Sequence, residues 1–221
     1  MLTSREIASL LQAINQEWDT SKALTRLLTV AQTCTSSRNA MLARMNDELG
    51  AMQLCYGIGL DWTSELDQKE IRLGIRQGIV GYVATKGTSF VASNVSEEPL
   101  YDPLFASSKS EVAVPIRDRH GRIRAVLNVE SDQESHYDEA DVHILEVLAG
   151  IAGVVISRDE LLTREEALFQ IGNAVDRAHN EGELLDQLIK IAHDQLRFAS
   201  CAIFLWDEPR QEFVLRASTG S

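Results

Sequence analysis

The chain has 221 residues, 44% of them hydrophobic, and a formal net charge of −12 at pH 7. This length allows one or two domains with a buried core. The acidic balance disfavours non-specific binding to the phosphate backbone of nucleic acids. The longest apolar run, residues 144–156, contains Glu146 and is shorter than the roughly 20 residues that span a bilayer. Residues 1–6 lack the pattern of a secretory signal. We therefore expect a cytoplasmic protein with no membrane partner.

Two amphipathic helices and a hairpin are predicted at the start of the chain. Apolar residues recur at helical spacing over residues 7–18 and again over 24–31. Strands are predicted at 39–45 and 51–57, joined by a turn at 46–50 that contains Asn, Asp and Gly. The apolar stripes consist of Ile7, Leu10, Leu11, Ile14 and Trp18 in the first helix, and Leu24, Leu27, Leu28 and Ala31 in the second.

A second hairpin is predicted from residues 111–117 and 122–131, with its turn at 118–121. Apolar residues alternate in both strands, as expected when one face of a sheet is buried. Pro115 lacks a backbone donor and predicts a bulge or an unpaired stretch. Residues 60–109, between the hairpins, are rich in glycine and short apolar runs. They are expected to cap the sheet and to form a pocket.

A long helix follows the second hairpin, beginning after Asp138 as N-cap and ending near Arg177. One apolar stripe, Leu145, Ala149, Ala152 and Ile156, is predicted to face the sheet of its own domain. A second stripe falls on the a and d positions of a heptad and is predicted to pair with a partner copy. An alternative is a single wide buried face. The heptad residues are Ile144, Leu148, Ile151, Val155, Leu162 and Phe169.

A shift of 161 residues aligns the beginning of the chain with its end. Leu24 then coincides with Leu185 and Leu42 with Ile203, and apolar positions match through two helices, a strand and a turn without a gap. Such self-similarity predicts an internal repeat. We expect a first domain at 1–158, a connecting helix at 138–180, and the N-terminal part of a second such domain at 165–221. The chain would then be a piece of a longer protein.

The three cysteines, Cys34, Cys55 and Cys201, are far apart and form no CxxC pair. We expect them to be reduced and mostly buried. No histidine stands at zinc-ligand spacing from a cysteine, so no metal site is predicted. The sequence identifies no cofactor.

Three segments, in this order, resemble the GAF family of small-molecule sensing domains. They are GIRQGIVGYVATKGTSFVASNVSEEPLYDP (74–103), SEVAVPIRDRHGRIRAVLNVES (110–131) and HYDEADVHILEVLAGIAGVVI (136–156). The resemblance extends from about residue 10 to residue 158. It implies an α+β fold with a six-stranded antiparallel sheet, helices on one face and a ligand pocket on the other. It also implies a regulatory domain that dimerises through helices and acts on an output domain, such as a kinase, cyclase, phosphodiesterase or transcription factor.

The pocket candidates lie on the strands and on the capping segment. Gly78 precedes a short helix and either leaves free N–H groups for an anion or simply permits a tight turn. The loop from Asn94 to Phe105 either covers the pocket mouth or packs only structurally. The candidates are Cys55, Gly78, Tyr82, Val91, Asn94, Tyr101, Phe105, Val114, Asn128 and Glu130.

Three GAF subclasses fit the sequence poorly. Of the motif in cyclic-nucleotide-binding members, only Asp141 matches cleanly. Residues 94–113 contain neither the cysteine nor the histidine of bilin-binding members. The segment 78–87 lacks the cysteines of members that reduce methionine sulfoxide.

The leading hypothesis is therefore a non-catalytic sensor of an unknown small molecule that signals through a dimerising helix. One alternative is a ligand-free dimerisation module of a larger regulator. The other is a small thiol enzyme that uses Cys55.

Overall fold

The computed structural model describes residues 8–9, 12–14, 16–17, 19–46, 51–63, 66, 72–74, 77–196, 198 and 200–219. The chain forms two compact units, Met1–Ser157 and Arg158–Ser221. Of the first predicted helix, the described residues 8–9, 12–14 and 16 are helical, and Ile14 is buried. The stripe residues Ile7, Leu10, Leu11 and Trp18 and the turn at 47–50 lie outside the described residues.

The first unit is built on a six-stranded antiparallel sheet in the order β3-β2-β1-β6-β5-β4, which confirms the expected α+β fold. The elements, in chain order, are α1 (Thr20–Thr35), β1 (Asn39–Asn46), β2 (Ala51–Gly59), β3 (Arg72–Gly74), α2 (Gly78–Lys86), β4 (Phe90–Ala92), a 3-10 turn (Val95–Glu97), β5 (Ser110–Arg117), β6 (Ile123–Ser131) and α3 (Glu139–Arg177). The boundary between the units falls within α3.

One face of the sheet packs against α1 and the first part of α3. Asp19 caps α1 by accepting a hydrogen bond from the backbone N–H of Lys22, and left-handed Ser36 ends the helix. Apolar side chains of the helices and strands form a continuous core on this side, and burial of their hydrocarbon supplies most of its stability. Buried hydroxyl groups of Thr35 and Ser37 lie on the same side. We call the core on this side the helix-side core. Its largest fully buried side chains include Leu24, Leu27, Leu28, Leu42, Ile116, Leu127, Leu145 and Ile156.

The opposite face of the sheet packs against α2 and the segment that leads into β5. Met41, Met52 and Val126 point from the strands to this side. From the covering layer come Ile79, Val80, Val83 and Ala84 of α2, together with Val95 and Phe105. We call this second layer the α2-side core.

Two irregularities in the ladder differ from the sequence expectation. Pro115 is paired in register with Val126, and the register shift lies after it, between Ile116 and Arg117. A second shift occurs between Leu42 and Ala43 of β1, which pair with Tyr56 and Leu54 of β2. Cys55 is therefore the extra residue of a β-bulge.

Helix α3 begins at the predicted residue, but its exposed apolar residues differ from the predicted heptad stripe. The side chain of Asp138 accepts hydrogen bonds from the backbone N–H groups of Ala140 (2.8 Å) and Asp141 (3.0 Å). The stripe predicted to face the sheet is buried in the helix-side core. The prediction that the heptad residues pair with a partner copy is wrong over this part of the helix, because Leu148 and Val155 are only 2% exposed and lie in the same core. Ile144 and Ile151 also pack against it.

Other apolar side chains of α3 are exposed instead. In the first unit these are Val147 and Val154, and in the second unit Leu161, Leu168 and Val175, together with the expected residues Leu162 and Phe169.

By length and composition, α3 is the one helix among the described residues that could cross a membrane. Its first part already packs against the sheet through Leu145, Ala149, Ala152 and Ile156. The core helix of a globular domain passes the same test of length and composition. The apolar character of α3 is therefore explained by its packing.

The second unit comprises the end of α3, helix α4 (Glu181–Asp194) and a hairpin of β7 (Cys201–Asp207) and β8 (Glu212–Thr219). Leu185 and Ile189 of α4 pack against one face of the hairpin. On the other face, Phe204, Trp206, Phe213 and Leu215 are exposed. The order of helix, helix, strand and strand is the order that the repeat predicts. A second copy of the first unit's fold remains a prediction.

Gly153 is the point of closest approach between α3 and the sheet. A β-carbon there would collide with the backbone carbonyl oxygen of Arg117 at the end of β5, whereas one at Gly150 would meet nothing within 4 Å. We expect Gly153→Ala to lower the free energy of unfolding by about 1–3 kcal/mol through overpacking. The matched change Gly150→Ala should raise it by about 0.5–1 kcal/mol, since alanine favours helix. Thermal and urea unfolding of both variants measure these changes, and equal effects would contradict the close approach.

Candidate functional site

A row of polar side chains crosses three neighbouring strands, β1, β6 and β5, near one end of the sheet on the α2 side. Glu130 of β6 pairs directly with Asn39 of β1 and with Glu111 of β5. Asn128, two residues before Glu130, projects from the same face and pairs with Met41 and Ala113, which belong to the α2-side core. Directly paired residues of antiparallel strands lie side by side. The ladder therefore holds Glu111, Glu130 and Asn128 together.

All three side chains are removed from solvent: Glu111 is 4% exposed, Glu130 3% and Asn128 2%. The Asn128 amide donates to Glu130 Oε1 at 3.3 Å and also hydrogen-bonds Glu111. The Ser108 hydroxyl donates to Glu130 Oε2. Among the described residues, Asn128 Oδ1 has no hydrogen-bond partner. We call Glu111, Glu130, Asn128 and Ser108 the polar cluster.

Burial controls the ionisation of the two carboxyl groups. Loss of hydration raises the pKa of Glu130 from 4.5 to about 7, while hydrogen bonds from Ser108 and Asn128 partly oppose the rise. Burial, followed by the charge of Glu130, raises the pKa of Glu111 well above its ordinary value. Two adjacent buried carboxylates repel each other, so the pair retains a proton near neutral pH.

Aromatic side chains pack in the α2-side core, on the face of the sheet that carries the polar cluster. Burial raises the pKa of Tyr101 to about 12, and the negative charges of Glu130 and Glu111 add to this rise. Phe105 is buried and meets Trp62 edge-on, with ring centroids 6.3 Å apart. Tyr82 of α2 contacts Phe90 in the same manner at 5.3 Å.

A neighbouring ion pair fastens the covering loops to the sheet. Asp61 accepts hydrogen bonds from Arg38 Nε (2.7 Å), Asn39 Nδ2 (2.9 Å) and Ser107 Oγ (2.6 Å). The hydrogen bonds from Arg38, Ser107 and Asn39 hold the pKa of Asp61 well below its ordinary range. Because Ser107 precedes Ser108, this contact fixes the loop that donates to Glu130.

Five of the pocket candidates are brought together on the α2 side: Tyr82, Tyr101, Phe105, Asn128 and Glu130. Gly78 lies at the start of α2 with φ +70°, a left-handed turn conformation that favours glycine. Asn94 caps the 3-10 turn by accepting hydrogen bonds from the N–H and hydroxyl of Ser96.

The other three candidates do not join them. Val114 lies in the helix-side core, because its position in β5 points away from Glu111 and Ala113. Val91 is exposed on β4, on the face opposite Phe90 and Ala92. Cys55 is exposed at the bulge, and its thiol donates to the backbone oxygen of Gln53. The expectation of mostly buried thiols is therefore wrong for Cys55, whereas Cys34 and Cys201 are half-buried.

Glu111, Ser108 and Asn39 belong to the site but were not predicted. Strand alternation carried a signal for Glu111, since Val112, Val114 and Ile116 form one face and Glu111 opens the other. Ser108 and Asn39 gave no comparable signal. The described residues contain no cluster of three or more His, Cys, Asp or Glu that could hold a metal ion.

The layered arrangement and the buried row can be compared with known proteins. The family model described as GAF domain matches residues 19–157, more than half of the chain. The chain belongs to the GAF domain family. This membership confirms the resemblance found in the sequence and supports a regulatory or sensory role. No match was found among curated protein sequences.

Solved GAF structures share this fold. A free methionine-R-sulfoxide reductase from Neisseria meningitidis, in complex with its substrate, is 21% identical with a TM-score of 0.63, over 72% of this chain and 90% of its own. The GAF domain of a phosphoenolpyruvate-protein phosphotransferase from Acinetobacter is 20% identical with a TM-score of 0.63, over 72% and 97%. Its counterpart from Coxiella burnetii is 19% identical with a TM-score of 0.64, over 70% and 92%. At these identities, the likeness concerns the fold alone.

The raised pKa of Glu130 predicts a pH-dependent stability. A carboxyl group whose folded pKa lies above its unfolded value destabilises the fold as pH rises from about 4.5 through about 7. We expect Glu130→Gln to be close to wild type in stability at pH 5 and more stable by about 1–3 kcal/mol at pH 8. Urea unfolding at both pH values measures the difference. A constant difference between pH 5 and pH 8 would contradict the assignment.

Proposed function

We propose that this GAF domain is a non-catalytic sensory domain that binds a small molecule on the α2 side of its sheet. The observation that supports this most directly is the contrast between the two faces. The helix-side core contains buried hydroxyl groups, those of Thr35, Ser37 and Tyr137, whereas the α2 side buries two carboxyl groups and an amide. Buried polar groups cost free energy unless they are fully hydrogen-bonded, so their presence here favours a binding role over a purely structural one.

The cysteines argue against the thiol-enzyme alternative suggested by the reductases among the structural neighbours. A thiol enzyme needs a nucleophile that reaches the substrate. Cys55 lies at the bulge and is not part of the polar cluster. Loss of hydration raises the pKa of both Cys55 and Cys34, which makes a thiolate less available. If Cys55 were catalytic, Cys55→Ser would abolish reduction of free methionine sulfoxide by the purified protein.

Native mass spectrometry of the freshly purified chain tests the binding proposal. We expect a retained small molecule, or a rise in melting temperature on screening metabolites, because a ligand that binds only the folded state stabilises it by mass action. Tyr101→Ala should weaken that effect, since Tyr101 packs on the same side of the sheet as the polar cluster. A chain that retains nothing and responds to no metabolite would favour the alternative of a ligand-free dimerisation module.

We further propose that the chain pairs with a second copy through α3 and acts on an output domain in the cytoplasm. The exposed residues Val147, Val154, Leu161, Leu168 and Val175 are spaced by seven and are each between 41% and 68% exposed. Helices that supercoil around each other use two apolar positions in each seven residues. This line supplies one of them, and Leu162 and Phe169 are exposed beside it. This line replaces the stripe of Leu148 and Val155, which is used by the domain's own core.

Light scattering tests the pairing. We expect the wild-type chain to be a dimer at micromolar concentration and Val154→Glu to shift it towards monomer, by at least tenfold in dissociation constant, because the charge would lie in the apolar seam. Leu60→Glu is the matched control, since Leu60 is 76% exposed and lies outside α3. A monomeric wild type, or equal effects of the two variants, would overturn the pairing.

A further inference from the structure

We propose that the polar cluster recognises a primary ammonium group of the ligand, held between Glu111, Glu130 and Asn128. This inference rests on the proposed small-molecule binding and names the ligand's chemical class. It begins from the three acceptors that the sheet holds together: the two carboxyl groups and Asn128 Oδ1.

Even with the proton that the carboxyl pair retains, the acceptor oxygens of Glu111, Glu130 and Asn128 outnumber the N–H and O–H donors of the cluster. Ser108 and the Asn128 amide donate to the carboxyl groups. Asn128 Oδ1, on a side chain that is 98% buried, receives nothing from the described residues. A buried acceptor without a donor has lost its hydration and destabilises the free protein. A primary ammonium group carries three N–H donors and no acceptor, which is the complement of one oxygen from each of the three side chains.

The charges of the surroundings favour a cation. The groups that act on the two carboxyls are each other, Asp61, Glu98 and the hydrogen-bonding side chains of Ser108 and Asn128. None of these is positively charged. Arg38, the nearby cation, is paired with Asp61 and Asp132. A ligand cation would therefore supply the positive charge that the described residues around this site do not provide.

The cover of the cluster also suits a cation with an apolar body. Tyr101 packs against the α2-side core, on the face of the sheet that carries the cluster, and an aromatic ring near a cation attracts it. Phe105, Leu100 and Leu104 line the same core. Because the cluster is closed to solvent, entry requires the loop from Glu98 to Ser108 to move.

Binding should exchange the proton held by the carboxyl pair for the ammonium group of the ligand. In the free protein, the carboxyl pair retains a proton near pH 7, and the arriving ammonium group displaces it to solvent. Affinity should then rise with pH by up to about tenfold per unit for each proton released. The titratable groups whose charges interact with the carboxyl pair are Asp61, Glu98, Tyr101 and Tyr137.

The experiment uses the full chain and n-butylamine as the probe, with tetramethylammonium as a cation without N–H donors and butyrate as an anion, at constant ionic strength. We expect n-butylammonium alone to raise the melting temperature, more at pH 8 than at pH 6. Calorimetry in two buffers of different ionisation enthalpy should show proton release. Glu111→Gln and Glu130→Gln should abolish this rise in melting temperature. Glu97→Gln should retain it, because Glu97 is an exposed carboxyl in the 3-10 turn that precedes the loop.

Other results would overturn the inference. Equal shifts with tetramethylammonium would indicate a salt effect, and a shift produced by Ca²⁺ but not by n-butylammonium would indicate a metal site. A neutral or anionic ligand found by native mass spectrometry, with binding unchanged in Glu130→Gln, would exclude ammonium recognition and still leave the sensory function standing. Unfolding curves of the two glutamine variants show whether any loss arises from misfolding. Asn128→Ala removes the acceptor Oδ1 that has no donor, and it should also weaken binding by about tenfold.

Discussion

Two carboxyl groups at paired positions of β5 and β6, both screened from water, constrain the rest of the first unit. Glu111 and Glu130 cannot both be charged without strong repulsion, because the low dielectric of the interior leaves their interaction unscreened. The fold accommodates them with a shared proton, the Asn128 amide and the Ser108 hydroxyl. The loop that carries Ser108 must therefore be held in place, and the bonds of Asp61 to Ser107, Arg38 and Asn39 hold it.

The composition of the helix-side core follows from the use of the opposite face for polar groups. Since one face of the sheet is used for polar groups, the other must supply most of the apolar burial. Helix α1 and the start of α3 provide it through leucine, isoleucine and alanine. This requirement explains why Leu148 and Val155 are used internally and are not free to meet a partner. Only the residues on the outward side of α3, such as Val147 and Val154, remain exposed.

The sequence was sufficient to predict the elements and their layers, because alternation in β5 and β6 and helical spacing in α1 are local patterns. It was also sufficient to select Tyr101, Asn128 and Glu130, which the structure brings together on the α2 side. These residues stand in segments that resemble the family. It failed for Cys55, whose direction is set by a bulge against Leu42 and Ala43, and for Val114, whose face depends on register. Ser108 and Asn39 join the site only through long-range packing, which no local pattern reveals. The second unit has the order of elements that the repeat predicts, but two strands do not establish a second copy.

The close approach of Gly153 to Arg117 has a mechanical consequence. Strand β5 carries Glu111 near one end and Arg117 at the other, a span of about 20 Å at roughly 3.3 Å per residue. At the far end, the backbone of the strand meets the backbone of α3 with no side chain between them. Flexible side chains absorb small displacements by changing rotamer, whereas two backbones in contact cannot. A displacement of the Arg117 end of β5 would therefore act directly on the backbone of α3.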